Sequence, residues 1–225
     1  MTFSIAARCA KTGMFGLAVS SSSPAVAARC AFARAGVGAV ASQNITDPSL
    51  GDRCLDLMAL GASAESALQT ICTTTEHIEY RQLTVVDANG NTAFYSGQHA
   101  LGVYGAAKDT DVVCAGNLLS STRIPEVMVD AFNNSEGDLG DRLLEVMQAA
   151  LDAGGEAGPV HSAGLLLVDK VSWPVAHLRV DWHADGEPIG ELVNVWNIYK
   201  PQLQDYVTRA INPSSAPSYG VPGDE

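Results

Sequence analysis

Chemistry could begin at the second residue. Methionine aminopeptidase tends to remove an initiator that precedes a residue as small as Thr2, and the chain would then open on a threonine carrying both a hydroxyl and a free α-amine. Nucleophile and base would share one residue. An α-amine with a pKa of about 8 can take the hydroxyl proton around neutrality, and threonine paired with its own terminal amine is a known arrangement for covalent catalysis. A retained Met1 acylates that amine and removes the base, and Thr2 is then an ordinary strand residue. Arg8 and Arg81 could orient a substrate carboxylate through bidentate hydrogen bonds, or could anchor the strands beside them. Asn44, Thr46 and Asp47 form a polar loop that could rim a pocket, although the same Asn-x-Thr-Asp-Pro run satisfies plain turn chemistry.

Other chemistries find less support. The five histidines, His77, His99, His161, His177 and His183, never fall at i, i+4 or in an H-E-x-x-H pattern, so no metal site is expected. His161 and Ser162 are adjacent and on a strand would point to opposite faces, and a serine triad lacks its G-x-S-x-G elbow. Gly36-x-Gly38-x-x-Ala41 matches a loosened dinucleotide fingerprint but fails on context, because Val37 to Ser42 reads as the strand itself rather than the turn after one. Cys9, Cys30, Cys54, Cys72 and Cys114 are odd in number and have no C-x-x-C pair, which suits small reduced core residues. The net charge of −12 argues against nucleic acid and anionic membrane surfaces as partners.

The elements that must hold these residues are legible from periodicity. At 225 residues, 47% hydrophobic and 17% charged, the chain is far from disordered composition and should fold as one domain over 1–211, with Asn212 to Glu225 as a flexible tail. Thr2 to Ala7 alternates Thr/Ser/Ala with Phe3, Ile5 and Ala7, the Lys11-Thr12-Gly13 turn follows, and Phe15 to Ser20 alternates again, predicting a hairpin. Val37 to Ser42 reads as a third strand. Two helices follow, one around Leu55, Met58 and Ala59, the other from an N-cap at Ser63 through Ala67, Leu68 and Ile71. Leu83 to Asp87, Asn89-Gly90 and Thr92 to Tyr95 predict a hairpin with a two-residue turn. Strands are expected at Gly102 to Ala106 and Val112 to Gly116. Next come a helix opening near Pro125 and another carrying Leu139, Leu143, Met147 and Leu151 up to Gly154-Gly155. Strands at Leu165 to Val168 and Leu178 to Trp182 precede a last helix with Ile189, Leu192, Val193 and Trp196, which Pro201 kinks or divides. Segregated runs of strands and helix pairs favour an α+β layered architecture with antiparallel sheets. Met14 to Ala28 has a superficial likeness to a signal peptide, but Ser20 to Pro24 breaks its apolar run, and a cytoplasmic chain is expected.

Several segments carry a family resemblance. They are Thr2-Phe3-Ser4-Ile5-Ala6-Ala7-Arg8, Gly16-Leu17-Ala18-Val19, Ala33 through Gln43, Gly61-Ala62-Ser63-Ala64-Glu65, Arg81-Gln82 leading into Val85-Val86-Asp87, and Gly116-Asn117. Together they resemble the domain of unknown function 1028 family, from the start of the chain to about residue 200. That family is regarded as similar to N-terminal-nucleophile hydrolases, so the resemblance implies a four-layer αββα sandwich. It implies Thr2 as nucleophile and terminal base, and places Asn117 where a side-chain amide could donate to an oxyanion. The serine-rich stretch Ser20 to Cys30 and the pair His161-Ser162 depart from the family pattern, and pocket shape is the property they would alter. The expected activity is hydrolysis of an amide or acyl bond in a small, polar metabolite, with no cofactor, by a homodimer or higher homo-oligomer. The competing reading is a non-catalytic binding or assembly protein that has kept the sandwich.

Overall fold

A computed structural model describes residues 1–224. Ten strands and seven α-helices alternate in the expected blocks. In chain order they are β1 (Thr2–Arg8), β2 (Phe15–Ser21), α1 (Ala27–Cys30), β3 (Ala31–Arg34), β4 (Gly38–Asn44), α2 (Ser49–Ala59), α3 (Ala64–Thr74), β5 (Arg81–Asp87), β6 (Thr92–Ser96), β7 (Gly105–Asp109), β8 (Val112–Asn117), α4 (Ile124–Asn134), α5 (Leu139–Asp152), β9 (Ser162–Val168), β10 (Ala176–Val180), α6 (Pro188–Tyr199) and α7 (Leu203–Ile211).

The strands form two antiparallel sheets. One has six strands in the order β10-β9-β2-β1-β8-β7, and the other has four in the order β3-β4-β5-β6. Helices α4, α5 and α6 cover the outer face of the larger sheet, while α2 and α3 cover the smaller one. The inner faces meet, giving the αββα sandwich. Strand alternation decides what goes where. Along β1, Phe3, Ile5 and Ala7 enter the core shared with the helices, whereas Ala6 enters the seam between the sheets beside Leu17, Val19, Ala39, Ala41 and Val86.

Local chemistry fixes the ends of these elements. Ser63 caps α3 by accepting from the Ser66 amide at 3.2 Å, and Pro125 occupies the first turn of α4, where a missing N–H costs nothing. The β5–β6 turn departs from expectation. The Gly90 amide donates to the Asp87 carbonyl, Asp87 and Asn91 close the ladder, and Gly90 alone takes a positive φ, +82°. Three residues, not two, therefore lie in the turn, with glycine in its left-handed position. The Asp87 carboxylate stabilises the corner by accepting from the amides of Ala64, Asn89 and Asn91 and from the Asn91 side chain. Burial pushes this carboxyl up, but those donors outweigh it and hold it below its ordinary value.

Three further differences concern boundaries. Gly102 has φ +60° and lies in the loop that precedes β7, so that strand starts at Gly105 rather than Gly102. Trp182 lies beyond β10, which ends at Val180. Helix α1 and strand β3 carry no periodic signal of their own in a stretch of small residues, and they form because the seam buries Val26, Ala27 and Cys30. Pro201 sits in a single 3-10 turn, Lys200–Gln202, which divides α6 from α7. All five cysteines are free, and four of them are buried. Among the described residues no helix is long and apolar enough to cross a membrane.

Candidate active site around Thr2

Thr2 begins β1, an interior strand of the larger sheet, with β2 on one side and β8 on the other. It lies directly opposite Asn117 in the β1–β8 ladder, and Ser21 stands at the matching end of β2. By strand alternation the side chains of Thr2, Ser21 and Asn117 all face the seam. Each is at least nine-tenths buried, with Thr2 at 5% exposure and Asn117 at 1%. The centre of the group is the Met1 carbonyl. Its oxygen accepts from the Thr2 hydroxyl at 2.5 Å and also from the Ser21 hydroxyl. The two hydroxyls are 3.4 Å apart. Ser21 is held in turn by Ser23, whose amide and hydroxyl reach it at 3.1 and 2.8 Å.

A buried polar ladder positions Asn117. The Gln82 amide nitrogen donates to the carbonyl of Gly116 at 3.1 Å and to Ser96 Oγ at 3.0 Å, which obliges its oxygen to act as acceptor. That oxygen takes Gln43 Nε2 at 2.9 Å and Asn117 Nδ2 at 3.2 Å, and Gln43 Oε1 in turn accepts from Ser4 Oγ at 2.7 Å. Asn117 must therefore present its NH2 to Gln82, leaving Oδ1 buried and without a partner. The open end of Asn117 is an acceptor. The group that donates to the carbonyl oxygen on Thr2 is the Ser21 hydroxyl.

Behind Ser21 lies Glu156, only 6% exposed. The segment after α5 hooks back through Gly155 and Ala157 onto the loop after β8, with Leu119 and Glu156 forming an isolated bridge. This carries Glu156 into the seam, where Oε2 accepts from the Ser22 amide at 3.3 Å and Oε1 has no partner. Burial pushes its carboxyl up to about 7, against the pull of the nearby terminal ammonium and of Ser22.

The four residues expected to bind substrate separate clearly. Thr46 is near the site: its hydroxyl lies 3.6 Å from the thiol of Cys30, a group that also feels the terminal ammonium. Asn44 and Arg81 are opposite one another in the β4–β5 ladder, one position out of step with Gln43 and Gln82, so they face away from the seam. They serve loop structure instead. Asn44 donates to the Tyr80 carbonyl and accepts from the Leu101 amide, and the Arg81 guanidinium bonds the Ile45 carbonyl. Arg8 stands at the far end of β1, about 20 Å from Thr2 at ~3.3 Å per residue, and pairs with Asp111 at 2.9 Å. Ser21, Gln43, Gln82 and Glu156 had no place in the residue-by-residue expectations. Ser21 stood in the serine-rich stretch, and Glu156 is an acidic residue in a glycine-rich loop read only as a helix stop.

Comparison with known proteins agrees with this architecture. Protein SPO2555 from Silicibacter pomeroyi, a solved structure matched to the DUF1028 family model, superposes with a TM-score of 0.82 at 28% identity, over 88% of this chain and 89% of that one. Anbu, an ancestral β-subunit, from Yersinia bercovieri matches at TM-score 0.38 and 13% identity, over 91% of this chain and 97% of that one. Anbu from Hyphomicrobium sp. strain MC1 matches at TM-score 0.38 and 12% identity, over 92% and 98%. No curated protein matches. The model of the family of unknown function DUF1028 matches residues 2–192, and the chain belongs to that family.

Proposed function

We propose that the protein, once Met1 is removed, is an N-terminal-nucleophile hydrolase that cleaves an amide or acyl bond in a small, polar metabolite. One observation carries the reading: the Thr2 hydroxyl is buried at the start of an interior strand, against a carbonyl oxygen that the Ser21 hydroxyl also holds. In the proposed reaction Thr2 Oγ attacks the substrate carbonyl carbon while the Thr2 α-amine takes the hydroxyl proton. Ser21 Oγ donates to the oxyanion, and Asn117 Oδ1 is the acceptor available to the ammonium that results. The ammonium returns its proton to the leaving amine as the C–N bond breaks. Water then adds to the ester on Thr2, releasing the acid and restoring the hydroxyl.

The test has two steps. Intact mass of untagged protein reads whether the chain starts at Met1 or Thr2, and a panel of amides and ureides is screened for released amine. We expect a Thr2 start, turnover of at least one amide, and loss of that turnover in Thr2→Ala with its unfolding midpoint unchanged. Full retention of Met1, or turnover of no amide in the panel, would leave the binding or assembly reading, and undiminished activity in Thr2→Ala would refute Thr2 as the nucleophile.

A further inference from the structure

The group attached to the Thr2 nitrogen is itself an acyl group, and the protein holds it at two points. Its carbonyl oxygen accepts from the hydroxyls of Thr2 and Ser21. Its thioether lies over Gly158, where the sulfur and terminal methyl would be 3.8 and 3.5 Å from a Cβ if that residue had one. Those are ordinary van der Waals separations, so the thioether packs against this part of the chain. Beyond Ser21 stands Glu156, nine-tenths buried, with Oε2 on the Ser22 amide and Oε1 unpartnered. A buried, half-satisfied carboxylate is costly unless a cation or donor completes it. The terminal ammonium of Met1 already stabilises the ionised form of Glu156.

When Met1 leaves, the space it filled adjoins the freed nucleophile, and a substrate acyl group must enter that same space to reach Thr2 Oγ. We propose that the acyl half of the substrate carries a free α-amino group, which Glu156 binds as an ammonium, making the substrates α-aminoacyl amides or short peptides with an open amino end. This deepens, and rests on, the reading of Thr2 as nucleophile. The space beside Gly158 that the Met1 side chain fills takes an unbranched residue of about methionine length, and Ser21 holds the carbonyl between the two. Glu156 is in this role a specificity-determining residue.

The experiment uses full-length protein beginning at residue 2 and two probes that differ only at the α-carbon: methionine p-nitroanilide and its desamino counterpart, the p-nitroanilide of 4-(methylthio)butanoic acid. Wild type should favour the amino probe in kcat/KM by about tenfold to a hundredfold, the range of a charge-assisted hydrogen bond. Glu156→Gln should bring that ratio to about one. A ratio near one in wild type, or one that survives in Glu156→Gln, overturns the proposal. A second arm needs no turnover: in Thr2→Ala, calorimetry should show methionine amide binding at least tenfold tighter than 4-(methylthio)butanamide, a difference that Thr2→Ala/Glu156→Gln should lose. Selective binding without hydrolysis in wild type would refute the nucleophile reading and keep the subsite, whereas hydrolysis without selectivity would do the reverse.

Discussion

Glu156 should make the protein less stable as pH rises, and Glu156→Gln should remove that loss. Raising a carboxyl from its ordinary 4.5 to about 7 corresponds to about 3 kcal/mol of native-state preference for the protonated form. The sign follows from proton counting. Between about pH 4.5 and 7 the folded protein keeps a proton that the unfolded chain releases, so this contribution is intact below the lower value and declines until pH passes the upper one. Glutamine mimics the neutral acid in size and can still accept from the Ser22 amide. Urea unfolding of both proteins is the assay. Near pH 4.5 they should agree within about 0.5 kcal/mol, and at pH 8 the variant should be more stable by about 2–3 kcal/mol. Equal stabilities at both pH values, or a variant weaker at pH 8, would refute the view that Glu156 is a buried and incompletely satisfied charge.

Ser21→Ala removes the hydroxyl on the carbonyl oxygen and should lower kcat by about a hundredfold or more, as loss of an oxyanion donor does, with little change in unfolding midpoint. Gln82→Leu leaves the Gln43 and Asn117 amides and the Gly116 carbonyl unpaired, and should cost about 3–5 kcal/mol in chemical denaturation. Asp87→Ala should cost about 3 kcal/mol near neutral pH; because the Asp87 carboxyl is held low, its stabilisation in wild type is present above the ordinary aspartate value and fades as pH falls through the folded one. Arg8→Leu breaks the pair with Asp111 and should cost about 1 kcal/mol in thermal unfolding, while kcat/KM for any substrate stays as in wild type.

The sandwich was legible because its determinants are periodic. Alternation in β1, β2 and β5, the Ser63 cap and Pro125 each imply the same layers that tertiary packing selects. Within the site, Thr2 stood out for its chemistry and Asn117 through its place after Gly116. Arg8 lies far from Thr2 along β1, and Asn44 and Arg81 face away from the seam. Residue type announces what a side chain can bind, whereas strand parity and distance along the strand decide whether it meets Thr2. Gln43 and Gln82 were hidden in the same way, since a glutamine within a strand gives no local hint that it will cross a seam. Glu156 could be found only through the hook that joins the loops after β8 and α5, a contact between residues distant in sequence.

The interior position of the amino end also bears on how the chain is made. β2 can join β1 at once as a hairpin, but β8, its other neighbour, emerges from the ribosome more than a hundred residues later. Until then one edge of β1 remains unpaired, and the nascent protein must keep it from pairing with strangers. Contacts this remote favour slow folding. The surroundings of Thr2 therefore assemble late in biosynthesis, so an enzyme that trims Met1 would find it accessible on the nascent chain and enclosed in the finished protein.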